Sequence, residues 1–489
     1  MPCTTLLVGK DASYDGSTIV SRSEDSPSGQ FNPKRFIVVL PDDQPREYIS
    51  QLSNCKVILP DNPMRYTAFP DTCQKKGNWY ASGVNEKNVA MTATETIITN
   101  ALVQAADPLL ESPCDDKKYG GLSEEDFVTI VLPYISSAKE GVIRLGQLLE
   151  EHGTYESNGI AFQDEDEIWW LETIGGHHWI ARRVPDGAYV VMPNQLGINY
   201  FDFDDAFGEQ ENFMCSSDLR EWTLDNFMAK DLGEGFNPRL AYGSHSAADH
   251  VYNTPRAWYM LRYFNPRSFK WDGIDADYKP ESDDLPWCCE PEHPITIEDM
   301  KAVLSSHYEG TDFDCYSKHS DPQLKGMYRP IGISRQNVTH FTQIRPYMPE
   351  EIKSIQWMAF GSNAFNAVAP FYVNISKTPD YLANPSKKPT TNSLYWTSRI
   401  IAALSDAHFN KTSAHIERYQ NKVMYKCSEL IHKFDEQVIL DGIKDVVPFL
   451  EQANQEISDY LEEKTIECLD EVLYSASCEM KNGFARSDN

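Results

Sequence analysis

The chain reads as an α+β protein with a helical tail. Three observations point there: short β-rich runs joined by turn residues fill its first part, capped helical stretches interrupt them, and everything after about residue 395 is helix-periodic. Strands in runs, with helices between them, imply antiparallel pairing and not a succession of parallel βαβ units.

Residues 4–9 are apolar and β-rich, residues 11–16 carry turn chemistry, and residues 17–23 return as a second strand, which predicts a hairpin. Further strands are predicted at 35–40, 56–59, 79–84 and 89–94, the last two joined by Asn85-Glu86-Lys87-Asn88. Ser123 with Asp126, and Ser137 with Glu140, have capping-box spacing and open two helices, the second closing at Gly153. Strand patterning resumes over 159–171 and 179–192, with Pro185-Asp186-Gly187 as a turn. Residues 265–294, dense in Pro, Asp, Glu and Trp, read as a long irregular connection, followed by a short helix over 296–307 and strands to about 373. Ile416, Tyr419, Val423, Cys427, Leu430 and Phe434 then step by threes and fours, one apolar stripe along a helix. A second, acidic helix is predicted from 448 to about 473.

Composition excludes several function classes. Among 489 residues, 73 acidic against 44 basic side chains give a net charge of −29, which disfavours nucleic acid or an anionic membrane as partner. No run of 18 apolar residues exists to span a bilayer, and the amino terminus lacks the pattern of a secretory signal. The eleven scattered cysteines suit reduced thiols in a cytoplasm. Neither G-x-x-x-x-G-K-[ST] nor G-x-G-x-x-G occurs, so no nucleotide cofactor is expected. His177-His178 and Cys288-Cys289 with His293 lack metal-ligand spacing, and neighbours on a strand point to opposite faces, so no metal is expected either.

Cys3 is the residue to explain. One reading is a small buried apolar side chain. The other is an N-terminal nucleophile: once Met1 and Pro2 are removed, the α-amine, with a pKa near 8, sits on the same residue as the thiol and can carry its proton. With the turn centred near Ser13, residue 3 falls opposite residues 23 and 24, which brings Arg22 and Asp25 alongside. A guanidinium favours the thiolate, and a carboxylate can hold the amine. Strand alternation puts Arg22 and Asp25 on opposite faces, so a bulge or the strand's end is expected between them.

Cys3-Thr4-Thr5, Asp15-Gly16-Ser17-Thr18 and Arg22-Ser23-Glu24-Asp25-Ser26 resemble the start of the dipeptidase A family of cysteine peptidases. These are N-terminal nucleophile (Ntn) hydrolases, related to bile salt hydrolases and penicillin V acylases. The resemblance continues at 83–91, at Tyr189-Val190-Val191-Met192-Pro193-Asn194-Gln195 and at Pro255-Arg256-Ala257-Trp258, then through His307-Tyr308-Glu309-Gly310-Thr311 into Ser354-Ile355-Gln356-Trp357.

The resemblance implies a four-layer αββα sandwich; the change to helical periodicity bounds it to about 3–390 and leaves a helical region over 391–489, which is expected to pack on the core and to make contacts in a homo-oligomer. The resemblance makes Cys3 the nucleophile, with Arg22 and Asp25 beside it, and Asn194 an oxyanion donor through its side-chain amide. Arg256 would buttress the site or attract a carboxylate. Where the acylases place a second oxyanion asparagine, this sequence has Glu95; a carboxylate cannot donate, so Glu95 is expected to hold the ammonium of a peptide, with Thr94 or a backbone N–H completing the hole. Pro2 is a second departure, because two residues must be lost before Cys3 is terminal. The implied activity is hydrolysis of dipeptides without metal or cofactor. A bile-salt or penicillin V-type amide acylase and a non-catalytic secernin-like protein are the alternatives.

Overall fold

The computed structural model describes residues 3–72, 77–93, 95–112, 117–233 and 235–481. Its first sheet grows from the predicted hairpin. Strands β1 (Cys3–Val8) and β2 (Thr18–Asp25) run antiparallel, with Cys3 opposite Glu24 and Thr5 opposite Arg22. At the turn, the Ser17 N–H and hydroxyl both donate to the Asp15 carboxylate, at 3.1 and 2.9 Å. Five more strands complete this sheet: β3 (Tyr189–Met192), β4 (Cys288–Cys289), β5 (Gln336–Ile344), β6 (Ser354–Phe360) and β7 (Ala369–Tyr372). Their order is β4-β3-β1-β2-β5-β6-β7, antiparallel throughout, so β1 and β2 are interior strands.

A second sheet runs from Ile37–Val39 through Tyr66–Ala68, Ser82–Asn85, Ala90–Thr92, Asn158–Gln163, Ile168–Ile174 and His178–Arg183 to Phe213–Cys215. The short strand Glu95–Thr96 pairs with Asn158–Gln163 beside it.

Alternation along β1 and β2 sends neighbouring side chains into different cores. Leu7 and Val20 join a cluster with Ala161, Trp170 and Ile180 of the second sheet. Leu6, Val8 and Ile19 join another with Trp258, Met260, Ile416 and Leu430, all helical. By parity Cys3, Arg22 and Glu24 face the second sheet, and Thr4, Ser23 and Asp25 face the helices. The far side of the second sheet carries α1 (Glu124–Val131) and α2 (Ala138–His152), whose Phe127, Val142 and Leu145 pack with Trp169 and Leu171. Trp169, Trp170 and Trp258 are each at most 2% exposed, and burying a side chain of that size contributes on the order of 2–3 kcal/mol.

The two capping signals hold with one adjustment. Asp126 accepts from the Ser123 N–H at 2.9 Å. Ser137 accepts from the Glu140 N–H at 3.1 Å, but Glu140 reaches back to Ser136, not Ser137, at 2.7 Å. Gly153, at φ 66°, ends α2 in a conformation that disfavours a side chain. The helix predicted over 296–307 is the shorter Ile297–Leu304, and the strand predicted over 35–40 is Ile37–Val39.

Helix α3 (Thr254–Phe264) was not among the predicted elements, although Pro255 in its first turn is a start signal. The tail forms α4 (Leu394–Ala407), α5 (Phe409–Asp441) and α6 (Val446–Cys478), the last extending past the predicted 448–473 at both ends. All six stripe residues on α5 are buried. The edge strand β7 is covered, since Asn454 of α6 accepts from the Tyr372 N–H and donates to its carbonyl, both at 2.9 Å. Among the described residues no helix is long and apolar enough to cross a membrane.

Candidate active site

Cys3 opens β1 and is fully buried. Its N–H donates to Asn194 Oδ1 at 3.2 Å, and its Sγ accepts from Arg22 Nη2 at 2.9 Å. The guanidinium of Arg22 is held by several acceptors. Nη1 donates to Glu24 Oε2 and to the Ala81 carbonyl, each at 3.1 Å, and Nη2 to Glu124 Oε1 at 2.7 Å. Lys34 extends this network to Glu24 at 2.8 Å and Asp71 at 3.0 Å. Burial works to lower the Lys34 pKa, yet Asp71 and Glu24 outweigh it and hold it above the usual lysine range. Buried charges of this kind persist because each has a partner. Their consequence at Cys3 is a guanidinium fixed against the sulfur.

Asp25 lies on the other face of the same strand. No bulge separates it from Arg22: β2 runs unbroken to Asp25, and the irregularity sits in β5, between Gln336 and Val338. Arg22 therefore touches the thiol, whereas the Asp25 carboxylate pairs with Arg329 on the helix side. Burial raises the Asp25 carboxyl above its usual range, although Arg329, Arg335 and Arg256 all pull it down.

Arg256, on α3, ties these groups together. Its Nε donates to the Tyr252 carbonyl at 2.6 Å, and Nη1 to the Cys3 carbonyl and to Thr4 Oγ1. Nη2 donates to Asn194 Oδ1 at 2.8 Å and to Asn253 Oδ1 at 2.7 Å. All five N–H groups are occupied, so of its two expected roles the geometry favours the buttress. Asn194 uses its side-chain oxygen on Cys3 and Arg256, while Nδ2 donates to the Thr96 carbonyl at 2.9 Å. An amide has two N–H bonds, so one is left for a substrate oxygen.

A cavity of about 300 Å³ opens against this cluster, lined by Thr96, Ile98, Asn194, Tyr252, Arg256 and Arg329 among others. Thr94 lies outside the described residues, as does the side chain of Glu95; the Glu95 backbone pairs with Gly159. Sequence reasoning missed Glu124 and Arg329. Glu124 stands in the first turn of a capped helix, where an acidic residue is ordinary, and no local pattern marks Arg329.

Of the two motifs that lack metal-ligand spacing, the histidine pair holds a carboxylate and the cysteine pair lies in an edge strand. Asp107 bonds His177 Nδ1 at 3.0 Å and His178 Nδ1 at 2.7 Å. Cys288 and Cys289 pair with Val190 and Tyr189 at a sheet edge. Among the described residues, His307, Asp314 and Cys315 bring ligand-type atoms within 4.8 Å of one another. Both ring nitrogens of His307 already face carboxylates, Asp314 at 2.6 Å and Glu309 at 3.1 Å.

A model of peptidase family C69 matches residues 2–422. Over its whole length the chain is 53% identical to a dipeptidase of Bifidobacterium longum, also covered in full. It is 50% identical to a probable dipeptidase A of Streptococcus pyogenes serotype M3, again with 100% of both chains aligned. With dipeptidase A of Lactobacillus helveticus the identity is 44%, over 96% of each chain.

Proposed function

The chain belongs to peptidase family C69 and is a peptidase acting on dipeptides; from that premise we propose that Cys3 is its nucleophile and its own freed α-amine the general acid and base. The observation that carries the reading is a single residue with its sulfur on Arg22 at 2.9 Å and its backbone nitrogen on Asn194 at 3.2 Å. Removal of Met1 and Pro2 turns that nitrogen from an amide into a basic amine.

The thiolate attacks the scissile carbonyl carbon, forming the C–S bond, and the developing oxyanion takes the remaining Asn194 N–H. One such donor is worth roughly 3 kcal/mol of barrier. The α-ammonium then protonates the departing amine, and the resulting α-amine takes a proton from the water that cleaves the thioester. Arg22 keeps the sulfur ionised, and Arg256 fixes the Cys3 carbonyl and Asn194 so that nucleophile and oxyanion donor stay in register. Glu95 is assigned to the substrate ammonium on sequence grounds. The same proposal reads the two sheets and their flanking helices as an Ntn sandwich, and places the protein in the cytoplasm. A homo-oligomer is part of the same proposal, which light scattering of the purified protein would check.

The test joins N-terminal sequencing to turnover. Active protein should begin at Cys3, and Cys3→Ala should lose at least about a thousandfold in dipeptide hydrolysis with an unchanged circular dichroism spectrum. Active protein that still begins at Met1 or Pro2, or undiminished turnover by Cys3→Ala, overturns the mechanism.

A further inference from the structure

We propose that Arg329 binds the free α-carboxylate of the dipeptide and thereby sets the length of the substrate; the inference rests on the dipeptidase reading above. Arg329 is 5% exposed and lines the same cavity as Asn194 and Arg256. Its Nη2 donates to Asp25, its Nη1 makes only a long contact to the Pro330 carbonyl at 3.3 Å, and its buried Nε has no partner. Hydrogen-bonding capacity is therefore left over on a charged side chain at the cavity wall. A buried donor normally has an acceptor, so these spare donors can take one from a ligand that enters the cavity.

Charge and valence narrow the ligand. The Asp25 carboxylate sits in the field of three guanidiniums, those of Arg329, Arg335 and Arg256. An anion entering beside them improves the balance, and a carboxylate matches the planar fork of a guanidinium. Arg256 cannot take this role, because its five N–H groups are already bonded to Tyr252, Cys3, Thr4, Asn194 and Asn253. The carboxylate on the cavity wall, Asp249, is itself occupied by donors from Ser244, Ser246 and Asn253.

Geometry supplies the length limit. In a dipeptide the terminal carboxylate carbon is two bonds from the scissile nitrogen, so an arginine on the wall shared with Asn194 is placed to meet it. A longer peptide puts a neutral amide at that point and leaves the guanidinium without its anion. A site built for a charged hydrogen-bonding group rejects the analogue that lacks it. The cavity of about 300 Å³ lies at the small end of ligand pockets, a size in keeping with a two-residue substrate.

The experiment compares a dipeptide with its C-terminal carboxamide as substrates for wild type, Arg329→Gln and Arg329→Lys. Wild type should favour the free acid by about a hundredfold in kcat/KM. Arg329→Gln should lower kcat/KM for the acid about a hundredfold more than for the amide, chiefly through KM, and Arg329→Lys should restore part of the preference. Equal hydrolysis of acid and amide by wild type, or an equal loss on both in Arg329→Gln, overturns the assignment while leaving the dipeptidase reading intact. Hydrolysis of neither by wild type overturns both. Because Arg329 also holds Asp25, alkylation of Cys3 by iodoacetamide and the thermal midpoint are recorded for each variant. Should Arg329→Gln not fold, the wild-type ratio and the Lys variant decide.

Discussion

At the scale of single residues, His340 shows how the charge around Cys3 reaches the neighbouring strand. It stands on β5 directly across from Arg22, fully buried, and stacks on Phe69 with ring centroids 5.6 Å apart. Burial first, then the Arg22 charge, lower its pKa from 6.5 to about 3. The sign follows directly: between those values the unfolded chain binds a proton that the folded ring refuses, so stability is lost as pH falls from about 6.5 toward 3. At pH 4.5 the loss amounts to about 3 kcal/mol. His340→Leu should therefore show a smaller drop in thermal midpoint between pH 7 and pH 4.5 than wild type; parallel drops would clear the ring of responsibility. Cys3 and Arg22 were legible because one hairpin fixes their pairing, whatever the rest of the chain does. Asp25 was legible as a neighbour but not in its partner, since Arg329 arrives from more than 300 positions away and leaves no local trace.

Among the elements, what could be read from sequence was what short-range chemistry decides. Caps at Ser123 and Ser137, the closing Gly153 and the apolar stripe of α5 depend on residues a few positions apart. Strand lengths and the ends of α6 depend on neighbours contributed by distant segments, and there the boundaries moved. Two glycines inside α2 belong to the second kind. Glycine weakens a helix by about 1 kcal/mol relative to alanine, so both look replaceable. An added Cβ on Gly146 would lie 2.3 Å from Trp179 Cζ2, and one on Gly141 the same 2.3 Å from Phe162 Cδ1. The Trp179 ring cannot swing away freely, because its Nε1 donates to Glu150 at 3.1 Å and its backbone is in the second sheet. Overpacking costs about 1–3 kcal/mol and exceeds the helix gain. Gly146→Ala should lower the denaturant midpoint without changing the m-value; a rise would mean that α2 lifts off the sheet at little cost.

For the whole molecule, the charge deficit and the antiparallel α+β plan were visible in the sequence, but the division at residue 390 was drawn from a change of periodicity and says nothing about independence. One apolar cluster runs without a break from Leu6 and Ile19 through Trp357 and Phe371 to Val423 of α5 and Leu461 of α6. Polar ties cross the same boundary. Arg345, just past β5, pairs with Asp435 of α5 at 2.5 and 3.2 Å, and the Tyr372 hydroxyl donates to that carboxylate at 2.8 Å. The family match likewise continues past 390 to 422, inside α5. A chain ending at 390 would expose the helix-side face of the first sheet and leave Arg345 without its carboxylate. Breaking a buried pair by removing one partner costs about 3–5 kcal/mol, comparable with the whole stability of many domains. That shortened chain should be insoluble, or should unfold without a cooperative transition. It should hydrolyse no dipeptide, even though Cys3, Arg22, Asn194 and Arg256 are all retained, because their geometry is held by the interior strands of the sheet that the helices cover. A soluble, cooperatively folding and active product ending at 390 would instead make the helical region an appendage.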